Sequence, residues 1–302
     1  MTTPQPSWDL YRSFLSVLQE GSLSGAARAL GLTQPTIGRH IDALEQTLGL
    51  SLFIRSQSGF IATDAAYALQ PYAETLASAS AALLRAASGI GKGENAQIQG
   101  TVRVTASEVV SVEVLPPILA RLRAQHPGIT IELAVSNRIE NLLRRDADIA
   151  VRMQRPEQDV LVARRIGNID LGFHARRDYL ERYGTPHTWQ ELAQHTLIGI
   201  DRENAFTRKL QPLLGELASS AYAIRSDSDL VHLAAIRAGL GIGLCQVRLA
   251  MRDPQLVRVV ADLLTIPLDT WLAMHENLRS NPACSAVYSA LAAGLEDYVV
   301  GR

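Results

Sequence analysis

The feature that most narrows the fold lies between Ser24 and Leu48, where a short apolar run, a glycine and a proline-opened helical pattern follow one another directly. Leu10, Phe14, Val17 and Leu18 already mark one face of a preceding helix. Ser24 is expected to cap a second, short helix from Ala26 to Leu30, and Gly31 to end it. Thr33 then caps a third helix with Pro35 in its first turn, where a missing N–H costs nothing. Ile37, Ile41, Leu44 and Leu48 recur on one face of that helix and should be buried. The opposite face is left polar: Gln34, Thr36, Arg39 and His40, with Pro35 at its start, suit phosphates and base edges in a major groove. Two short helices, a tight turn and a polar-faced third helix make a helix-turn-helix.

The next segment, Leu50 to Ala62, reads as two short strands, Leu52 to Ile54 and Phe60 to Ala62, joined by residues 55–59. A hairpin here is a wing, and its Arg55 and Gln57 could touch the backbone or the minor groove. Charge alone argues for no partner: 29 Lys plus Arg against 30 Asp plus Glu give a formal charge of −1. With Arg12, Arg28, Arg39 and Arg55 set against Asp9, Glu20, Asp42 and Glu45, the grip per subunit is modest, so pairing of subunits is needed to multiply it. The competing reading makes residues 8–63 a small helical interaction module with a solvated polar face.

From Asp64 to Ala87, Leu69, Leu76 and Leu83 recur every seven residues, with Tyr72, Ala79 and Ala86 three positions after each. This is an a/d seam of mostly small residues, fit for pairing two subunits; an Ala-rich helix packed on its own domain is the alternative. Pro71 removes one main-chain bond near its start. Four glycines in residues 89–100 mark a linker. Beyond Thr101, strand-like and helix-like segments alternate, which implies a mainly parallel α/β sheet with helices on both faces.

The N-terminal residues resemble the signature of LysR-type transcriptional regulators. Phe14, Gly21 to Ser24, Ala26 and Ala27, Leu30, Gln34 and Pro35, Ile41, Leu44 and Glu45, Leu48 and Gly49, Leu52 and Phe53, Arg55 and Thr63 stand in that family's order and spacing. Two positions depart from it: Gly38 stands where the family carries a hydroxyl residue, and Ala66 where it carries glycine. The resemblance implies an α/β protein: an N-terminal all-α winged helix-turn-helix at 1–63, a linker and dimerisation helix at 64–88, a flexible linker at 89–100 and an effector domain at 101–302. That last domain would be two-lobed and periplasmic-binding-protein-like, lobe I at 101–170 and 266–302, lobe II at 171–265. It further implies double-stranded operator DNA with an inverted repeat, a small-molecule effector, and a homodimer assembled into a homotetramer.

In such a domain ligand sits between the lobes, at the carboxyl ends of strands and the amino ends of helices. Ser107, Ser136, Asn137 and Arg152 fall at strand ends, and Asp227 precedes the helix from Asp229; Asp201 and Phe206 lie in the loop after Leu197 to Ile200. Hydroxyls and free N–H groups there favour a carboxylate or similar anion, with Arg152 as its charge partner. Equally, Ser107, Asp227 and Ser228 could be plain N-caps, and Arg152 could pair with Glu108 or an aspartate.

Enzyme readings fare badly. Gly239 to Gly243 has GxGxG spacing and joins a helix to a following strand, the reverse of a dinucleotide loop. Gly91-Lys92 lacks the rest of a P-loop, no GxSxG occurs, and the seven histidines show no ligand spacing. No catalytic residue, cofactor or metal is expected, and His174 and His232 read as structural. Cys245 and Cys284 lack CxxC spacing and read as two buried thiols. Arg237 and Arg248 break the longest apolar stretch, and residues 1–10 have no signal pattern; no membrane span is expected, and the cytoplasm is the default location. The runner-up function is a solute-binding or metabolite-processing α/β protein whose N-terminal module only oligomerises it.

Overall fold

The structure, a computed structural model, describes residues 5–56, 59–88, 98–137, 147–156, 161–202, 208 and 222–301. The chain forms two compact units, residues 1–84 in one, and residues 85–139 and 147–302 in the other.

The first unit opens with helices α1 (Trp8–Glu20), α2 (Leu23–Leu30) and α3 (Gln34–Leu48). Gly31 sits in the left-handed region at φ 65, which lets the chain turn sharply from α2 toward α3. Thr33 caps α3 as expected, its hydroxyl accepting from the Thr36 N–H, with Pro35 in the first turn. The cap of α2 differs from expectation: Ser22 accepts from the Gly25 N–H, so the helix starts at Leu23 and Ser24 stands exposed inside its first turn. Ser22 has the extended backbone a cap needs, which the sequence pattern does not distinguish from Ser24.

Phe14, Val17, Ala26, Ile37, Ile41, Leu44, Leu52 and Phe53 form one buried core. Each large aliphatic side chain there contributes about 1.5–3 kcal/mol by leaving water. Strands β1 (Phe53–Ser56) and β2 (Gly59–Ala62) pair antiparallel, Phe53 against Ala62, and extend closer to the hairpin tip than Leu52 to Ile54 and Phe60 to Ala62. Glu45 holds this hairpin to α3: its Oε1 accepts from the Leu52 and Phe53 N–H groups at 2.6 and 3.1 Å. Thr63 donates to the Ser51 carbonyl and caps the next helix through the Ala66 N–H.

That helix, α4 (Asp64–Ser88), divides its faces. Ala66 and Ala73 are buried and Leu69 and Ala77 pack beside them on the first core, whereas Tyr72, Leu76 and Leu83 of the heptad seam stay exposed. Pro71 lies inside the helix, and the Thr75 hydroxyl donates to its carbonyl at 2.8 Å.

The second unit is built on one sheet in the order β10-β6-β11-β5-β3-β4, with β9 also on β6. Strands β3 (Gln99–Ala106), β4 (Gly128–Val135) and β5 (Ile149–Arg152) pair in parallel. The sheet is not mainly parallel, however. A long strand β6 (Leu161–Arg176) and the returning β11 (Ile266–His275) run antiparallel to each other, and β11 runs antiparallel to β5. β9 (Gly243–Gln246) and β10 (Leu256–Arg258) also meet β6 antiparallel. The expectation failed because β6 and β11 are two extended passages, not strand-helix-strand units. The sheet also begins inside the expected linker, whose residues 89–97 lie outside the described residues.

Around β3, β5, a helical stretch from Glu108 and the C-terminal helix α10 (Pro282–Val300) gathers one core, including Val104, Leu115, Ile149, Leu272, Val287 and Leu291. The helical stretch carries a π turn at Val110–Val114 before α5 (Leu115–Gln125). A second core holds Phe173, Tyr179, Leu192, Leu197, Ile242 and Ile266 on α6 (Arg177–Tyr183), α7 (Trp189–Leu192) and the ends of β6 and β11. Strand β7 (Leu197–Gly199), parallel to β8 (Tyr222–Arg225), sends Leu197 into this core. Its next residue, Ile198, enters a further core with Leu233 and Ile236 of α8 (Asp229–Arg237) and Leu249 of α9 (Val247–Ala250), as strand alternation requires. Gly239 to Gly243 joins α8 to β9, a helix-to-strand connection.

Candidate functional site

On α3 the buried stripe of Ile37, Ile41 and Leu44 fixes which side faces outward. Gln34, Pro35 and Arg39 are exposed and Thr36 is half-buried. Thr36 shares its hydroxyl with Thr33 at 2.8 Å, and Arg39 Nε donates to the Pro35 carbonyl at 3.4 Å, so the guanidinium leans along the helix start. His40 is drawn inward instead: its Nδ1 lies 2.7 Å from the hydroxyl of the buried Ser13 on α1, leaving only the far ring nitrogen for a partner outside the domain. Arg55 lies on β1 opposite Phe60, near the tip of the hairpin, and Gln57 lies outside the described residues. Gly38 has room for a side chain, the nearest atom to an added Cβ being Leu23 Cδ1 at 3.8 Å.

In the second unit the strand ends gather a different chemistry. Arg152, the last residue of β5, is buried at 6% exposure. Its Nη2 donates to the Thr105 hydroxyl at 3.0 Å and its Nη1 to the Val151 carbonyl at 3.0 Å, while its Nε has no hydrogen-bond partner among the described residues. Among the described residues no carboxylate pairs with it, Glu108 being bonded to Ser228 instead. Burial pulls its pKa down to about 10, so the guanidinium is still charged at neutral pH. Thr105, its one side-chain partner among the described residues, was not singled out from the sequence, which shows no cue that strand neighbours 47 positions apart would meet.

Ser107 is half-buried immediately before the helical stretch, and its carbonyl accepts from the Ser111 N–H. The Ser136 N–H donates to the Ala106 carbonyl, which seats Ser136 beside the end of β3. Asn137 is committed to the protein: its Oδ1 accepts from the Glu108 N–H at 3.1 Å and its Nδ2 reaches Asp229 Oδ2 at 3.4 Å. Asp227 is committed too, accepting from the Arg202 N–H and pairing with its guanidinium at 3.5 Å. Asp201 is exposed after β7, and Phe206 lies outside the described residues.

A side chain that sequence reasoning left in a minor role is Glu108. Its Oε2 accepts from the Ser228 hydroxyl at 2.7 Å and the Leu230 N–H at 3.4 Å, crossing to the amino end of α8. Glu113, one helical turn on, takes a two-pronged ion pair from Arg237 at 2.6 and 3.1 Å, which holds its carboxyl below the usual carboxylate range. His174 and His232 are buried and bonded to the Gly172 and Ser226 carbonyls, structural roles in both cases. Cys245 and Cys284 are buried thiols pushed up to about 12 by burial.

Two family models match the chain: "Bacterial regulatory helix-turn-helix protein, lysR family" over residues 8–67, and "LysR substrate binding domain" over residues 95–296. Among curated relatives, an uncharacterised regulator of Escherichia coli K12, YhjC, is 26% identical over 95% of this chain and 97% of its own length. A transcriptional regulator of Xanthomonas campestris is 29% identical over 62% of this chain, and the match spans about half of that protein, 53%. Of solved structures, CrgA of Neisseria meningitidis superposes with TM-score 0.56 at 21% identity, covering 97% of this chain and 99% of that one. CbnR, solved in complex with its target DNA, superposes at 0.68 and 19% identity over 95% and 99%. At these identities the structural likenesses carry the fold.

Proposed function

The chain belongs to the LysR family of bacterial transcriptional regulators, and on that premise we propose that it reads an inverted-repeat operator through α3 and the wing under control of a small anion held between the lobes of its second unit. The observation that carries the DNA half is the division of α3: a capped helix buried on one side turns Gln34, Pro35 and Arg39 outward, with Thr36 at its edge. Ser24 at the start of α2, the outer nitrogen of His40, Arg55 and Gln57 complete the proposed surface, the serine and wing residues positioning the helix on phosphates.

The subunits pair through the exposed Tyr72, Leu76 and Leu83 stripe of α4, and two pairs assemble through the second units into a homotetramer. Two-fold pairing accounts for an inverted repeat with half-sites about one helical turn apart or a multiple of it. The organisation is a DNA-binding domain at 1–63, a dimerisation helix at 64–88, a linker at 89–100 and an effector domain at 101–302. The two cores that meet along β6 and β11 support lobe I at 101–170 and 266–302, with lobe II at 171–265. The work is done where operator DNA is, in the cytoplasm; among the described residues no helix is long and apolar enough to cross a membrane.

The anion reading rests on Arg152, a buried charge bonded to the Thr105 hydroxyl and without a carboxylate partner among the described residues, with Ser107 two positions after Thr105. Ser136 follows the end of β4, and Asp201 is proposed for the lobe II side, with Phe206 kept as a candidate from the sequence alone. Asn137 and Asp227, both bonded to protein, shape the site without touching the ligand.

A gel shift against DNA upstream of the chain's own and neighbouring genes tests the regulator; failure to retain any such fragment favours the solute-binding alternative. A thermal-shift screen of small carboxylates tests the anion, since ligand at 100 times its dissociation constant adds about 2.7 kcal/mol of apparent stability. The shift should vanish in Arg152→Ala and weaken in Ser107→Ala. If the only binders are uncharged, the anion is wrong and the regulator stands.

A further inference from the structure

A single anion seat does not complete the charge balance of this region. Arg152 is a buried cation there, fixed to Thr105 at the end of β3. Glu108 follows Thr105 by three residues, so the main-chain positions from which the two charges are held lie at most about 10 Å apart. Lobe II brings a second carboxylate alongside: Asp229 joins Glu108 through Asn137, whose Oδ1 accepts from the Glu108 N–H while its Nδ2 donates to Asp229. Neither carboxylate forms a salt bridge with a lysine or arginine among the described residues. Glu108 relies on the Ser228 hydroxyl and the Leu230 N–H.

The amino end of α8 is therefore not the open anion seat that its place in the fold suggested. Glu108 already fills it, as a helix amino terminus favours a carboxylate. Burial raises the Asp229 pKa and the Glu108 carboxylate adds to the rise, against an opposing pull from His232; a cation beside it would favour the charged form. A second carboxylate on a ligand would instead meet two like charges, a repulsion that selects against it.

Resting on the anion reading above, we infer that the effector is an amino carboxylate: its carboxylate is held at Arg152 and its ammonium is held by Glu108 and Asp229, which reject dicarboxylates. Arg152 sets affinity for every acid. Glu108 and Asp229 set the choice among acids, the ligand's ammonium donating to carboxylate oxygens that keep lone pairs beyond those given to Ser228, Leu230 and Asn137.

The experiment uses the full chain and calorimetric titration with ω-amino acids from glycine to 6-aminohexanoate, each against the dicarboxylate and the simple carboxylate of the same length. At one or more lengths the amino acid should bind at least about tenfold tighter than the dicarboxylate, with the simple acid between them. Glu108→Gln keeps an oxygen for Ser228 while removing the charge, and should bring the two within about threefold by weakening the amino acid and strengthening the dicarboxylate. Asp229→Asn, which leaves the Ser228 bond untouched, should move both ligands the same way and guards against a Glu108 variant that fails to fold. If dicarboxylates bind as tightly as amino acids in the wild type, and Arg152→Ala abolishes that binding, the inference is overturned while the anion reading stands. If no acid of any length binds, both fall.

Discussion

Arg85 grips both oxygens of Asp148, Nε to Oδ2 at 2.9 Å and Nη2 to Oδ1 at 3.2 Å, with side chains only 10% and 3% exposed. Asp148 also accepts from the Arg103 N–H at 2.8 Å, and it directly precedes β5, the strand that ends in Arg152. The last turn of α4 is thus fastened to one end of a four-residue strand whose other end carries the proposed anion seat. Breaking this pair by Arg85→Ala should cost about 3–5 kcal/mol, because the carboxylate stays buried without its cation. Urea midpoints measure it, and replacing both partners by apolar residues of similar volume should recover most of the loss. A single-variant cost within about 0.5 kcal/mol of zero would show the pair to be idle.

Gly38 stands in the middle of α3 with only Leu23 Cδ1 near an added Cβ, and its backbone is helical. Gly38→Ala should therefore raise stability by about 0.5–1 kcal/mol through the loss of unfolded-state freedom. Unaltered or lower stability would mean that the space beside α3 is filled in some way the structure does not show.

His174 is held neutral by burial, its pKa lowered to about 4 from 6.5, with Arg258 nearby adding to the effect. The unfolded chain takes up a proton as pH falls through 6.5 and the folded chain does not until about 4. Stability from this group is thus whole above pH 6.5 and is lost progressively down to about pH 4, roughly 3 kcal/mol in all. Denaturation of the wild type and His174→Gln across that window should show the wild type losing roughly 3 kcal/mol relative to the variant as pH falls from 6.5 to about 4. Parallel curves would assign the acid sensitivity to carboxylates alone.

Tyr72, Leu76 and Leu83 are 72, 47 and 68% exposed, which is costly for a stripe that nothing covers. Light scattering should find a homo-oligomer that falls to monomer in the Leu76→Glu, Leu83→Glu double variant, with circular dichroism unchanged. Persistence of the dimer after both substitutions would move the interface elsewhere.

The first unit was legible because its signals are local: Gly31, Thr33, Pro35 and the Ile37, Ile41, Leu44 stripe each act within a few residues of themselves. Ser22 was passed over as a cap because two serines flank Leu23 and only the extended backbone at Ser22 separates them. The long strand β6 escaped notice in its first half because Arg164, Arg165, Asn168 and Asp170 interrupt any apolar run, although the strand is paired with β11 and then with β9 and β10. Paired residues Arg165 and Asp269, 2.6 Å apart, show how such a strand is kept without hydrophobic alternation. Glu108 was beyond reach for a different reason: its partner Ser228 lies 120 positions away, and no periodicity predicts which helix start a distant carboxylate will cap.

The account turns on α3 as the reader of base edges, and Arg39 is its one exposed guanidinium. Quantitative binding of the full chain and of Arg39→Ala to the retained upstream fragment, and to its single-base variants, tests this directly. The account predicts that Arg39→Ala weakens operator binding by about 1–3 kcal/mol and relaxes preference at one position in each half-site. A uniform weakening on all sequences would make Arg39 a phosphate contact, and unchanged binding to the operator would contradict the central claim.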